Sequence, residues 1–227
     1  MRKIAVIISI LMFVAGLSVF LYPSVDNYIY DQSTARQQSQ YLERIDNDPQ
    51  LRTLLDDLYD ELRRYNLELY ENKQDTLVDA FSYSQPNLDL SSYGIEDNSI
   101  GFISIDKMDI TLPIYLGANS ANMKNGAVHL TETSFPIGGE NTNAVIAAHR
   151  GTSKVMFRNI HKLEIGDSVI IKNFKETLTY QVCEIKIIYP TDVHELLIQD
   201  GRDLVTLITC HPLGKNYQRY VVYCERA

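Results

Sequence analysis

The stretch Leu204-Val205-Thr206-Leu207-Ile208-Thr209-Cys210 is followed by the turn His211-Pro212-Leu213-Gly214 and by a second β-rich segment that contains Arg219. An unbroken run of apolar and β-branched residues of this length is typical of a buried strand. Cys210 lies at the tip of that strand, where a rigid scaffold holds a side chain within reach of a substrate. The thiol is therefore a candidate nucleophile.

The same strand-forming pattern extends over the chain from Ile100 onward. Alternating or continuous β-branched residues separated by turns predict strands near residues 101–106, 109–115, 143–149, 167–173, 177–189, 204–210 and 218–225. Short helical or irregular stretches are expected around 119–126 and 153–160. Seven or eight strands without helix-sized segments between most of them indicate an antiparallel barrel or sandwich.

Two further residues at strand ends complete a candidate site. His149 ends the apolar run Ala144–His149, and Arg219 lies nine positions after Cys210, across a turn. Adjacent antiparallel strands would bring Cys210 and Arg219 together. A nearby imidazolium or guanidinium favours the thiolate. We therefore expect Cys210 to attack, His149 to transfer protons and Arg219 to stabilise negative charge.

The remaining cysteines and histidines fit structural roles better. Because side chains alternate along a strand, Cys224 points away from the face that carries Arg219. Cys183 lies mid-strand, and the two cysteines are expected as core residues, although a pair between them stays open. His129 is expected to be structural. His161 and His194 are predicted to lie on the surface, and His211 follows Cys210 directly. No second Cys or His follows His211 at ligand spacing, so we expect no metal and no cofactor.

The N-terminus carries a membrane-length segment. Residues 4–22 are apolar apart from two serines and a glycine, close to the roughly 20 residues that a spanning helix needs. Bulky residues follow it where a cleavable signal would have small ones, so an uncleaved signal anchor is favoured over a cleaved signal peptide. Arg2 and Lys3 precede the span, which predicts a cytoplasmic tail at residues 1–3 and an extracellular remainder.

Residues 23–97 form a second region, with 16 acidic and 6 basic side chains. A weak helix is expected from Asp31 to Ile45. Asp48-Pro49 is typical of a helix start, and leucines at spacings of three and four predict an amphipathic helix that ends near Asn72. Residues 74–97 lose this periodicity and form a long loop. The net charge of −8 lies mostly in this region, and scattered Lys and Arg argue against nucleic-acid binding.

Several motifs together resemble those of the sortases, the cysteine transpeptidases of Gram-positive cell surfaces. The segment Thr206–Arg219 resembles their TLxTC…R signature, and Ala148-His149-Arg150-Gly151 resembles their histidine motif. Other matches resemble the pilin-polymerising class C branch: Leu112-Pro113-Ile114-Tyr115, His129-Leu130, Phe135-Pro136-Ile137-Gly138-Gly139 and Gly166-Asp167. The resemblance covers residues 100–227. It implies an eight-stranded closed β-barrel with short helices over residues 98–227, preceded by a helical segment.

The resemblance also implies a lid. Class C members carry an Asp-Pro-aromatic loop in the active-site groove, and Asp79-Ala80-Phe81-Ser82 resembles it, with alanine in place of proline. Asp79 would pair with Arg219, and Phe81 would cover the thiol. The missing proline makes the loop less rigid. Because no second apolar span follows the barrel, membrane attachment is expected to depend on residues 4–22 alone.

The implied activity is cleavage of an LPxTG-like sorting signal by Cys210, His149 and Arg219, with Thr209 as a possible support for the substrate or oxyanion. A thioester would then pass to an amine, either a pilin lysine or a cell-wall precursor, at the outer face of a Gram-positive membrane. A papain-like hydrolase is disfavoured because such enzymes place the nucleophile before the histidine. A catalytically silent surface-binding β-domain is the remaining alternative.

Overall fold

A computed structural model describes residues 2–74, 77, 79, 88–151 and 155–227. Two long helices precede the sheet, and a short one lies within it: α1 Arg2–Asn47, α2 Pro49–Glu71 and α3 Ser120–Asn125. The eight strands are β1 Ser99–Ile105, β2 Ile110–Leu116, β3 Ala127–His129, β4 Thr142–Ala147, β5 Ser168–Asn173, β6 Thr177–Ile188, β7 Asp203–His211 and β8 Gln218–Arg226. Short 3-10 turns connect several of them.

Helix α1 is longer than the sequence indicates. The apolar segment and the weak helix expected from Asp31 to Ile45 form one helix that continues through Pro23. A proline removes one backbone hydrogen bond, which a helix of 46 residues can lose without ending. Among the described residues, α1 alone is long and apolar enough to cross a membrane, and its apolar part is exposed. A signal sequence near the N-terminus passes the same test of length and composition, so this finding makes α1 a candidate for either a signal sequence or a membrane anchor.

Helix α2 begins where the sequence predicts. The Asp48 side chain accepts a hydrogen bond from the backbone N–H of Leu51 at 3.0 Å, and Pro49 occupies the first turn. The predicted leucine stripe is buried against the barrel: Leu51, Leu55, Leu58, Leu62 and Leu69. Asn66 lies on the same face, and its side chain accepts from the Phe135 N–H at 2.7 Å and donates to the Phe135 carbonyl at 3.3 Å. These contacts fix α2 on the sheet.

The strands form a closed barrel in the order β1-β2-β3-β4-β7-β8-β6-β5. The expectation of a purely antiparallel sheet is wrong at two pairs, because β2–β3 and β4–β7 are parallel. Each parallel pair is joined by a crossover, which runs through α3 in the first case and through β5 and β6 in the second. Strand β3 was not predicted, since three residues after Gly126 are too few to show a period.

Alternation along the strands divides the buried side chains into two clusters. Val222 and Cys224 lie in the larger cluster with Val205 and Leu207, whereas Val221 and Tyr223 lie in a second cluster with Ile208. Cys224 is fully buried and faces away from Arg219, as its position in the strand predicts.

The chain that leaves α2 is attached to the barrel by Gln74, a buried residue. Its side-chain amide donates to the Glu132 carbonyl at 3.0 Å, and its side-chain oxygen accepts from the Ile198 N–H at 2.6 Å. Three residues later Leu77 is buried in the second cluster. These two attachments direct the chain toward the strand ends that carry Cys210.

Candidate active site

Cys210 and Arg219 are directly opposite each other in neighbouring antiparallel strands. Cys210 is the next-to-last residue of β7, and its partner in the register with β8 is Arg219. Opposite residues in such a pair project from the same face of the sheet. The thiol is half-buried and Arg219 is buried. Strand pairing thus places a guanidinium beside the sulfur.

His149 reaches the same place from β4. The sequence predicted a strand that ends at His149. The strand instead ends at Ala147, so His149 lies two residues beyond it. Ala147 is level with Ile208 of β7, and Cys210 lies two residues beyond Ile208. The parallel register therefore brings His149 and Cys210 to the same level at adjacent strand ends. Both residues line one cleft of about 750 Å³.

Thr209 has a different position from the one expected for oxyanion support. It is fully buried, and its hydroxyl donates to the Ala148 carbonyl at 2.6 Å. The alternation of β7 turns Thr209 away from the face that carries Cys210. Its hydroxyl thus holds the backbone next to His149, which favours a positioning role.

Arg219 is paired with a residue from the segment after α2. Its Nε donates to one carboxylate oxygen of Asp79 at 2.9 Å, and a terminal nitrogen donates to the other at 2.7 Å. The remaining terminal nitrogen donates to the backbone carbonyls of Asn216 and Gln218. A two-point ion pair of this geometry is among the stronger side-chain contacts. Phe81, the other expected lid residue, lies outside the described residues.

The ionisation of the two reactive groups reflects this packing. Burial raises the pKa of the Cys210 thiol, while Arg219 opposes the rise and Asp79 adds to it. Burial lowers the pKa of His149. With Asp79 in place, the site therefore favours the neutral thiol and neutral imidazole.

Arg150 and His211, the residues that follow His149 and Cys210, are in contact with each other. A terminal nitrogen of Arg150 donates to Nδ1 of His211 at 3.1 Å, and the guanidinium lies over the Tyr220 ring at 5.2 Å. This contact ties the histidine loop to β7. The sequence offered a signal for it, since Arg150 is part of the quoted histidine motif, whereas Gln74 carries no such signal.

The other cysteines and histidines are outside this cleft. All three cysteines are unpaired, Cys224 is buried as expected, and Cys183 is half-buried with its thiol 3.3 Å from the Tyr223 carbonyl. His129 is fully buried, whereas His161 and His194 are exposed. Among the described residues, no group of three His, Cys, Asp or Glu could hold a metal ion.

Comparison with known proteins assigns the family. The family model for the sortase domain matches residues 103–227. The chain belongs to the sortase family. It is 30% identical to the sortase A of Bacillus anthracis over 156 residues, which are 67% of this chain and 72% of that protein. Members of the family are cysteine transpeptidases, and the closed eight-stranded barrel is the sortase fold.

Solved structures similar to this sortase include class C enzymes. The Clostridium perfringens sortase C, solved with the C-terminal cell wall sorting motif, is 35% identical, with a TM-score of 0.71 over 85% of this chain and 98% of that chain. The Streptococcus pneumoniae sortase C is 28% identical, with a TM-score of 0.74 over 85% and 96% of the two chains. Because 85% of this chain exceeds the share within the barrel, the likeness includes helical residues before it.

Proposed function

We propose that this sortase cleaves an LPxTG-like sorting signal and joins the cleaved protein to the amine of a lysine in a pilin subunit; the alternative acceptor is a cell-wall precursor amine. The observation that carries the proposal is that Cys210 and His149 line one cleft, while the register of β7 and β8 places Arg219 directly opposite Cys210. The class C neighbours, which are named for a pilus island and for pilin substrate specificity, support the pilin assignment, and the C. perfringens enzyme was solved with a C-terminal cell wall sorting motif.

The first step forms a thioester. The Cys210 sulfur, as thiolate, attacks the threonine carbonyl of the signal, and the C–N bond to glycine breaks. His149 takes the thiol proton and delivers it to the departing amine. Arg219 donates hydrogen bonds to the carbonyl oxygen as negative charge develops on it. The Arg219 guanidinium must first be released from Asp79, since the ion pair uses its Nε and one terminal nitrogen.

The second step reverses the roles. A neutral lysine amine attacks the thioester carbonyl, His149 accepts its proton, and Cys210 leaves as the thiol form with that proton. The product is an isopeptide bond, and no external oxidant or cofactor is needed. Thr209 acts in both steps through the Ala148 carbonyl, by holding the backbone beside His149.

Asp79 and Phe81 are proposed to act as a lid, although Phe81 lies outside the described residues. Asp79 occupies the Arg219 guanidinium that the reaction requires, so the site is closed until a substrate displaces it. Gln74 and Leu77 attach the start of this segment to the barrel. Asp79 follows these attached residues and is the described lid residue that a substrate would displace from Arg219.

The N-terminal segment is proposed as the membrane anchor, with residues 1–3 in the cytoplasm, 4–22 in the bilayer, and 23–97 and 98–227 outside. The apolar, exposed surface of α1 supports this arrangement. A membrane-impermeant maleimide applied to wall-stripped cells should label an Asp79→Ala form at Cys210. Labelling only after the cells are lysed would contradict the orientation.

The joining reaction is tested with the full chain in detergent micelles, an LPxTG peptide and two competing amines: a pilin-derived lysine peptide and a cell-wall precursor amine. Mass spectra of the joined product identify both the acyl-donor peptide and the amine that accepted it. Product with the lysine peptide supports pilus polymerisation, and product with the wall amine alone supports an anchoring sortase. Absence of turnover with either amine, also after Asp79→Ala, would support a non-catalytic binding domain.

A further inference from the structure

Arg150 is a nearly buried cation that has no anionic partner among the described residues. Its side chain lines the catalytic cleft, yet the residue is only 8% exposed. Its contacts are all neutral: the Arg158 carbonyl at 3.5 Å, His211 Nδ1 at 3.1 Å and the face of Tyr220. In the part of the chain that the structure describes, no carboxylate forms an ion pair with it. Buried charges in proteins are usually paired, so this guanidinium would gain from the approach of an anionic ligand.

The other charged residues that line the cleft are also positive. Lys215, exposed in the turn between β7 and β8, and Lys124 of α3 also line it, and none of the described lining residues is Asp or Glu. Within the described residues Lys215 takes part in no ion pair. The protein as a whole carries a net charge of −8. A local cluster of cations on an acidic protein attracts an anionic ligand and repels a cationic one.

Asp79 does not supply the missing charge. Both of its oxygens are held by Arg219, at 2.9 and 2.7 Å. When a substrate displaces Asp79, the Arg219 guanidinium next to Cys210 loses its carboxylate, so the positive charge around the cleft increases further. An incoming peptide that carries its own carboxylate would therefore compensate the buried charge of Arg150.

We propose that the acyl-donor peptide carries an acidic side chain next to the threonine–glycine bond, and that Arg150 and Lys215 bind it. This specificity rests on the proposed function, because it concerns the peptide that Cys210 attacks. Arg150 contributes most, since a planar guanidinium removed from water binds a carboxylate more strongly than an exposed ammonium does. Lys215 adds longer-range attraction that salt weakens.

The test compares peptides that differ only in charge. Two series carry Glu, Gln or Lys, one at the variable position before threonine and one directly after glycine. Thioester formation is followed with the full chain in detergent micelles, as wild type and as Asp79→Ala. In at least one series we expect kcat/KM to be about tenfold higher for Glu than for Gln, lower again for Lys, and less different at high salt.

Variants assign the effect to residues. Arg150→Gln should remove most of the preference for Glu, and Lys215→Glu should shift the preference toward the Lys peptide. Lys215 is exposed, so its variant remains informative if Arg150→Gln fails to fold. Lys162→Glu is the matched control, because Lys162 is exposed and does not line the cleft; it should leave the preference unchanged.

Two results would overturn the inference. Equal kcat/KM for the three peptides in both series would remove the acidic specificity, while the turnover itself would leave the proposed function intact. A preference for Glu that Lys215→Glu and Arg150→Gln both leave unchanged would remove these residues from it. Failure to form a thioester with any peptide would overturn the proposed function as well.

Discussion

The sulfur of Cys210 lies between two opposite charges, and its reactivity depends on which of them is present. Burial and Asp79 raise the pKa of the thiol, and Arg219 lowers it. The Asp79 carboxylate, which pairs with Arg219, therefore also favours the protonated form of the nucleophile. Residues from three separate parts of the chain control one atom.

The strand position of each cysteine predicts its contribution to the chemistry. Cys210→Ala should abolish capture of the peptide as a thioester, because the nucleophilic sulfur is removed. Cys224→Ala should retain capture, since that thiol is fully buried on the opposite face and burial raises its pKa. Intact-mass spectra after incubation with an LPxTG peptide measure both. Loss of the adduct in Cys224→Ala alone would contradict the assignment.

A second prediction concerns the hydroxyl of Thr209. Thr209→Val keeps the shape but leaves the Ala148 carbonyl without its donor, at a cost of about 1–3 kcal/mol. We expect a lower thermal midpoint and a lower kcat with a smaller change in KM, because His149 follows Ala148. Thr209→Ser retains a hydroxyl and should retain most activity. If the valine and serine variants have equal kcat, the hydroxyl does not position His149.

At the scale of elements, the segment after α2 contacts the barrel through three described residues, Gln74, Leu77 and Asp79. Gln74 bonds to two loops of the barrel, and Leu77 is buried in the second cluster. Asp79 forms an ion pair with a buried arginine, Arg219. Removing one partner of such a pair leaves an uncompensated charge, so opening is costly unless a ligand replaces the carboxylate.

Removal of the Asp79 carboxylate should activate the thiol. Asp79→Ala and Asp79→Asn both delete a negative charge that raises the pKa of Cys210, so the thiolate fraction at pH 7 should increase. Iodoacetamide labelling should be several-fold faster, and its pH profile should shift to lower pH. Asp89→Ala, at an exposed acid before the first 3-10 turn, serves as the control. Unchanged labelling in both Asp79 variants would remove the lid from the mechanism.

Helix α2 allows a matched comparison of two leucines. Leu58 is fully buried against the barrel, and Leu67 is 57% exposed on the same helix. Leu58→Ala should lower the free energy of unfolding by about 2–5 kcal/mol, and Leu67→Ala should change it by less than about 0.5 kcal/mol. Denaturant titration in micelles measures both. Similar losses at the two positions would contradict the packing of α2.

At the scale of the whole molecule, the sequence predicts those structural features that depend on a local pattern of residues. The leucine spacing located α2, and the tips of β7 and β8 located Cys210 and Arg219. The parallel pairings of β2–β3 and β4–β7 depend on long-range contacts that no local period encodes. For the same reason the bonds of Gln74 to two distant loops could not be predicted, although the motif containing His149 was evident.

Stability should depend on pH through His129, which stacks on Phe135 inside the barrel. Burial lowers its pKa from 6.5 to about 4. Between these values the unfolded chain binds the proton and the folded chain does not, so stability present above pH 6.5 is lost as the pH falls. From pH 7 to 5 the wild type should lose about 2 kcal/mol more than His129→Gln. The exposed control His161→Gln should behave as wild type; equal losses in all three would contradict this linkage.

The attachment of α1 to the barrel determines how far from the membrane surface the catalytic cleft lies. The Tyr30 hydroxyl donates to the carbonyl of Asn125, a residue of the catalytic cleft, at 2.6 Å. Tyr30 follows Tyr22, the end of the apolar segment, by eight residues, or about 12 Å of helix. With that segment in the bilayer, the thioester would form just above the lipid headgroups. Proteins still embedded by a tail directly after the sorting signal could then be processed before they leave the lipid, whereas proteins released into the wall would lie beyond reach.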